Sequence, residues 1–277
     1  MIIRKSQAEI EGMARAGELL AETLQLCADA LEPGVSMLDI DRLADEHLAS
    51  KGAQPTSKGY KGYPAALCIS PNSMIVHGIP NDYRAQEGDL ISLDLGVTLD
   101  GLIADSAITV PVGDVSAESQ RLLDVCVEAL EAGIGQAQEG NRLSDISHAV
   151  QTVVEAAGFS VVRSLVGHGV GRHYHEDPQI PNYGPPGRGP VLQEGMTIAI
   201  EPMITMGRPE VYVHDDDWSI SSVDESLAAH FEHTVAITPD GPRILTRIAR
   251  VAKGDPAPKP GVGGLAADAA SSRALLR

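Results

Sequence analysis

Apolar residues first recur with helical spacing. Ile10, Met13, Ala14, Leu20, Leu24 and Ala28 lie three to four positions apart or at multiples of that spacing, which gives a helix one buried face. Ser6 and Glu9 fit the Ser-x-x-Glu pattern that satisfies amide groups of a first helical turn, and Pro33-Gly34 stops the helix. A second helix opens at Ser36 with Asp39 and closes at Gly52. The pattern then returns. A third helix is predicted from about Ser116 towards Gln138, ending near Gly140, and a fourth from near Ser144 to Gly158. Between the two helix pairs, ISLDLG and LIADSAITV read as strands joined by a tight turn at Asp100-Gly101.

The return is a duplication. Gly34, Asp39-Ile40 and Gly52 recur as Gly140, Asp145-Ile146 and Gly158 at one constant offset. Glu87-Gly88, Ile91 and Asp94 recur as Glu194-Gly195, Ile198 and Glu201 at an offset one residue longer. Two αα-β halves related by a pseudo-twofold axis, folded as one α+β unit, account for both blocks. Such an axis also brings Asp94 and Glu201, which are equivalent positions, towards a shared centre.

Composition sharpens this picture in three places. The aromatics are six Tyr, two Phe and one Trp, so the core must be aliphatic and any aromatic cluster asks for an explanation. The formal charge of −17 argues against wrapping DNA or docking on anionic membrane. Cys27, Cys68 and Cys126 are too few and too far apart for a disulfide framework or a Cys-x-x-Cys zinc motif. The N-terminus has no apolar targeting region, and no apolar run reaches bilayer length, so a cytoplasmic location is expected. Residues 1–250 are expected to form a single catalytic domain, and residues 251–277, rich in Ala, Pro and Gly, a flexible tail.

Candidate chemistry begins in the hairpin. A two-residue turn at Asp100-Gly101 sets Asp94 opposite Ala107 and diagonal to Asp105, on one face and within about 7–8 Å. A turn starting one residue earlier would set the two directly opposite. Like charges that close need a proton or a cation between them; the alternative is an Asp105 that faces solvent at a strand edge. GHGVGRHYHEDP, residues 167–178, holds His168, His173 and His175, with glycines that let backbone approach whatever His168 touches. A phosphate-binding loop is the competing reading of GHGVG, but no Lys-Ser/Thr follows. Glu201 in TIAIEPM and Glu232 in HFEHTVAI interrupt apolar strand patterns, where an unpaired carboxylate is costly. A salt bridge to an Arg is the alternative there. Four carboxylates and one imidazole carry more negative charge than one divalent cation warrants and suit two, about 3.5–4 Å apart. Oxygen ligands with one nitrogen favour Mn, Fe(II), Co or Zn. That is hydrolase chemistry. There is no G-x-S-x-G elbow, and Cys68 has no local base and reads as a packing or pocket residue.

With these residues assembled, the chain resembles methionine aminopeptidases of the short bacterial type I kind over about residues 3–248. The resemblance rests on GYKGYPAALCIS (59–70), VHGIP (76–80), the Asp94/Asp105 hairpin, GHGVGRHYHEDP, TIAIEPM, and Trp218 followed by FEHTVAIT (231–238). It implies the pita-bread (creatinase/aminopeptidase) fold. It implies two divalent metal ions on Asp94, Asp105, His168, Glu201 and Glu232, with Asp105 and Glu232 bridging. It also implies His77 and His175 as catalytic, substrate-contacting histidines, Glu201 as proton carrier, and Tyr60, Tyr63, Cys68, Tyr174 and Trp218 as walls of a methionine pocket. The activity implied is removal of the initiator methionine from nascent proteins and peptides with a small second residue, using a metal-bridged water. Its partners would be methionyl peptides and nascent chains, with transient ribosome contact, on a monomer. The chain departs from the family pattern at Ser57, Gly96, Ile103-Ala104, His173 and Tyr174, changes that bear on fine specificity and water orientation but leave the ligand set intact. Two other readings compete. One is a prolidase or aminopeptidase P-like peptidase, which would share the five ligands. The other is a non-catalytic binding member of the fold.

Overall fold

The computed structural model describes residues 1–247; the expected tail at 251–277 lies outside the described residues. The first half contributes α1 (Gln7–Ala30), α2 (Met37–Ser50), β1 (Gln54–Pro55), β2 (Cys68–Pro71), β3 (Met74–Val76), β4 (Leu90–Leu99) and β5 (Leu102–Pro111). The second contributes α3 (Ala117–Gln136), α4 (Leu143–Ala156), β6 (Ser160–Val161), β7 (Val166–Gly169), β8 (Glu176–Pro181), β9 (Thr197–Ile200), β10 (Met203–Thr205), β11 (Val211–Val213), β12 (Ile220–Ser222), β13 (Ala228–His230), β14 (His233–Thr238) and β15 (Gly241–Ile244).

The helix ends follow local chemistry. The Ser6 hydroxyl accepts the Glu9 N–H at 3.3 Å while the Glu9 carboxylate accepts the Ser6 N–H at 2.8 Å, closing the capping box that starts α1. Ser36 and Ser116 cap α2 and α3 in the same way, accepting the N–H groups of Leu38 and Ser119. α4 starts slightly earlier than expected. Arg142 takes the cap position and donates its N–H to Asp145, while the Ser144 hydroxyl is engaged by the Arg188 N–H. The duplicated glycines are backbone devices. Gly34 and its repeat Gly140 have φ of 94° and 92°, and Gly88 and Gly195 have 90° and 84°. In this left-handed region a Cβ is strained, so each half needs glycine at the same bends.

α1 lies across β4 and β5, whereas α3 and α4 pack together, α3 against β9, β10 and β13 and α4 against β6 and β8. The interface between helices and sheets is aliphatic as expected: Leu20, Leu24, Ile91, Leu93 and Leu95 in one half, Leu122, Ile146, Val150, Ile198 and Ile200 in the other, all buried. The hairpin has the register read from its turn. Asp100 and Gly101 both have positive φ, Leu99 pairs with Leu102, and Asp94 pairs with Ala107. β5 joins the first half's sheet, in which β4 lies between β1 and β2. The second half's largest sheet runs β15-β14-β9-β7-β8.

Glu201 and Glu232 differ from expectation. They do not sit inside strands but at the paired interruptions between β9 and β10 and between β13 and β14. Ile200 pairs with His233 before the break and Met203 with His230 after it. At the break the Glu232 N–H leaves its own ladder and donates to the carbonyl of Ala107 in β5, at 2.9 Å. The two halves are thus stitched together beside the glutamates.

The N-terminal segment holds the 172–176 loop. The Lys5 ammonium pairs with Glu176, with side chains only 1% and 2% exposed. The other Glu176 oxygen accepts the N–H groups of Arg172 and His173 at 2.8 and 2.9 Å. Replacing Lys5 with Met leaves a buried carboxylate without its cation. The expected cost is about 3–5 kcal/mol in urea unfolding, and Glu176→Gln should cost a similar amount, because its amide N–H would face the Lys5 ammonium and leave that buried charge unpaired.

Candidate metal centre and substrate pocket

The hairpin supplies Asp94 and Asp105 from adjacent strands on one face, β7 supplies His168, and the two sheet interruptions supply Glu201 and Glu232. Asp105, His168 and Glu232 offer ligand atoms within 4.8 Å of one another. His168 Nε2 lies 3.7 Å from Asp105 Oδ2 and 3.6 Å from Glu201 Oε1. His168 Nδ1 is 2.8 Å from the carbonyl of Gly169, which fixes the proton on Nδ1 and turns the Nε2 lone pair towards the carboxylates. The glycines around His168 serve a different purpose from the one their spacing suggests. A Cβ at Gly167 would stand 2.4 Å from the carbonyl of Ala199, and one at Gly169 would stand 2.3 Å from that of Asp177. They admit neighbouring backbone, which lets β7 pack deep enough to bring His168 to the carboxylates.

Asp105, Glu201 and Glu232 are buried, while Asp94 is partly exposed. Burial pushes the Asp94 carboxyl up to about 7. Burial and the neighbouring carboxylates push Asp105, Glu201 and Glu232 well above the usual range. Asp105 Oδ1 and Glu232 Oε1 are buried with no hydrogen-bond partner. Orphaned carboxylate oxygens facing an imidazole lone pair are the chemistry of a cation site, and these residues fit a divalent metal. The backbone holds them firmly. The Thr234 hydroxyl accepts the Asp105 N–H at 2.9 Å and donates to its carbonyl at 2.8 Å, the Ser106 hydroxyl donates to the Glu232 carbonyl, and the Asn182 amide donates to the Glu201 carbonyl at 2.8 Å.

One pocket opens beside this cluster, and every residue expected at the site lines it. Its aromatic groups form two walls. Trp218 meets Tyr63 edge-on at 5.1 Å and faces His77 at 6.4 Å. Across the pocket, Tyr60 meets Tyr174 edge-on at 5.1 Å and stacks on His175 at 5.3 Å, and His175 lies 4.2 Å from His168. Cys68 begins β2 and pairs with Asp94, and burial keeps its thiol protonated. His77 follows β3 with φ of 59°, an unusual conformation for a non-glycine residue that aims its ring inward. Burial lowers the pKa of His77. His175 is exposed, and its pKa is lowered by partial desolvation in the pocket and by the nearby His168, Lys61 and His77, so both rings are neutral near pH 7. His173 is exposed.

His230 was not anticipated as a site residue. It ends β13 at 1% exposure, with Nε2 3.8 Å from Glu201 and 3.9 Å from Glu232 and both ring nitrogens unpartnered. The signal was present: it stands two positions before Glu232, the spacing that puts two strand residues on one face. Lys61 and Ser57 also line the pocket.

The pattern of metallopeptidase family M24 matches residues 11–239. The chain belongs to this family. A methionine aminopeptidase of Clostridium perfringens is 49% identical over 90% of this chain and 100% of its own length. The crystal structure of the Thermotoga maritima methionine aminopeptidase superposes with a TM-score of 0.87 at 45% identity, covering 89% of this chain and all of that one. The Pyrococcus furiosus prolidase is more distant, at 25% identity and a TM-score of 0.73, and this chain spans only 66% of it. Within M24 the chain therefore belongs with the methionine aminopeptidases rather than the prolidases, and the pita-bread fold that the resemblance implied, in agreement with the duplication, is the fold it has.

The raised carboxyl pKa values set a pH dependence for this M24 chain. A carboxyl that is held above its unfolded value of about 4 stabilises the metal-free protein at low pH, and loses that contribution as pH rises through the folded value. Metal-free protein should therefore lose stability from about pH 4 to pH 7 and above, and the rise in Tm on adding Mn, Co or Zn should grow over the same window. At a metal concentration a hundredfold above Kd the gain is about 2.7 kcal/mol, or several degrees. Thermal scans at several pH values with and without chelator measure this; a metal-induced shift that shrinks towards pH 8 would contradict it.

Proposed function

We propose that this chain, through a single catalytic unit spanning residues 1–250, removes the N-terminal methionine from new peptides whose second residue is small. The observation that carries the reading is the adjoining of two unlike environments. A carboxylate cluster with orphaned buried oxygens lies against a pocket walled by Tyr60, Tyr63, Tyr174 and Trp218. The pocket suits a methionine side chain, because a thioether packs well against aromatic rings. Substrates of this kind are nascent chains, met in the cytoplasm by a monomer in transient contact with the ribosome. No helix among the described residues is long and apolar enough to cross a membrane.

Asp94, Asp105, His168, Glu201 and Glu232 would hold two divalent ions from the set Mn, Fe(II), Co and Zn. Bound there, the ions supply Lewis acidity, an activated water and an anchor for the free amino terminus. The protein's own groups do the rest. His77 and His175, held neutral, donate N–H groups to the carbonyl of the scissile bond. Glu201, whose proton affinity is raised by burial and acidic neighbours, takes a proton from the attacking water and delivers it to the leaving amine. The aromatic walls exclude solvent and orient the first residue.

Glu201→Gln should lower kcat on Met-Ala-Ser by a factor of about 10² or more; near-normal turnover would exclude the proton-carrying role. His175→Ala should impair turnover while metal content, measured by atomic absorption, stays near that of the parent. Loss of a metal on that substitution would make His175 a ligand instead. Faster cleavage of Ala-Pro than of Met-Ala-Ser peptides would return the prolidase reading. A chain that binds no divalent ion and turns over nothing would return the non-catalytic one.

A further inference from the structure

Three of the chain's departures from the family pattern, Ser57, Gly96 and Tyr174, meet at one point. Gly96 pairs with Asp105 in the hairpin, two residues beyond Asp94 and on the same face. A Cβ built on it would lie 2.7–2.8 Å from Cε2, Cζ and the hydroxyl oxygen of Tyr174, closer than real contacts allow. The phenol of Tyr174 therefore occupies the space that any side chain at position 96 would need. Its hydroxyl lies 3.1 Å from the Ser57 hydroxyl, and both residues line the pocket.

These two hydroxyls are buried, with Ser57 at 4% and Tyr174 at 8% exposure. Each carries one proton, and the contact between them uses one proton of the two. Among the described residues neither hydroxyl makes any other hydrogen bond. One buried O–H donor is thus left over, in a pocket lined otherwise by aromatic rings, aliphatic side chains, the Cys68 thiol, Lys61 and the histidines and carboxylates of the cluster. A thioether sulfur accepts hydrogen bonds only weakly, whereas a sulfoxide oxygen accepts them well.

We propose that the Tyr174–Ser57 hydroxyl pair, accommodated by Gly96, is a specificity element that lets the pocket take an N-terminal methionine sulfoxide as well as methionine. The inference rests on the methionine aminopeptidase reading and extends its substrate class to an oxidised side chain. Methionine sulfoxide is chiral at sulfur, and the donor has a fixed position. One epimer should therefore be cleaved faster than the other.

The test uses the full-length, metal-loaded protein and four tripeptides: Met-Ala-Ser, norleucine-Ala-Ser, and the two sulfoxide epimers of Met-Ala-Ser. Norleucine has nearly the shape of methionine and no acceptor, so the sulfoxide-to-norleucine ratio of kcat/KM isolates the hydrogen bond from general damage to the pocket. The expected result is measurable cleavage of one sulfoxide epimer. That ratio should fall by about threefold to tenfold in the double variant Tyr174→Phe/Ser57→Ala, which leaves no O–H donor at this point of the pocket. Each single variant leaves one hydroxyl whose proton is freed from the pair, so neither single effect should exceed that of the double. Failure to cleave either epimer while Met-Ala-Ser and norleucine-Ala-Ser are cleaved would overturn the proposal, as would a ratio unchanged in the double variant. Failure on Met-Ala-Ser itself would overturn the underlying reading, and this inference with it.

Discussion

The structure depends on the cost of burying negative charge. Four carboxylates from four separate stretches of chain meet at the seam between the halves, three of them in the interior. Without compensation each must take up a proton or destabilise the fold, and the raised carboxyl pKa values express that conflict. Everything around the cluster is arranged to hold it in spite of the cost: hydroxyl bridges from Thr234 and Ser106, the tautomer of His168, and the hydrogen bond from Glu232 to Ala107 across the seam. A dense framework of this kind is what a cation site requires, because its ligands must stay in place whether or not the cation is bound.

Much of this was legible in the sequence, for identifiable reasons. The sequence allowed the turn to start at Asp100 or one residue earlier; with both positive φ angles at Asp100-Gly101 the register is fixed, and the diagonal relation of Asp94 to Asp105 is the one counted from that turn. The duplication was visible because both halves need glycine at equivalent left-handed bends. The aromatics were informative because they are scarce: in a chain with one Trp and six Tyr, Trp218 and three of the tyrosines gather around one pocket.

What escaped the sequence depends on contacts between distant segments. Strand patterns around Glu201 and Glu232 run on in sequence, and only the pairing of Ile200 with His233 and Met203 with His230 reveals that both strands break at one level. The glycines flanking His168 answer to the backbones of Ala199 and Asp177, which no local rule brings near them. His230 was passed over because a histidine beside an apolar strand has many structural uses, and its two orphaned nitrogens show only in three dimensions. Ser57, Gly96 and Tyr174 could be noticed one by one in the sequence, but their shared volume could not.

The hydrogen bond from the Glu232 amide to the Ala107 carbonyl also orders events in time. During synthesis Asp94 and Asp105 emerge first, and Glu201 and Glu232 follow only after the second helix pair. Until that seam closes, the hairpin holds two acids with neither a complete ligand set nor a finished wall around them, and protons or water must meet their charge. The site is therefore among the last parts of the molecule to exist. A cation site drawn from both halves is complete only once the seam has closed.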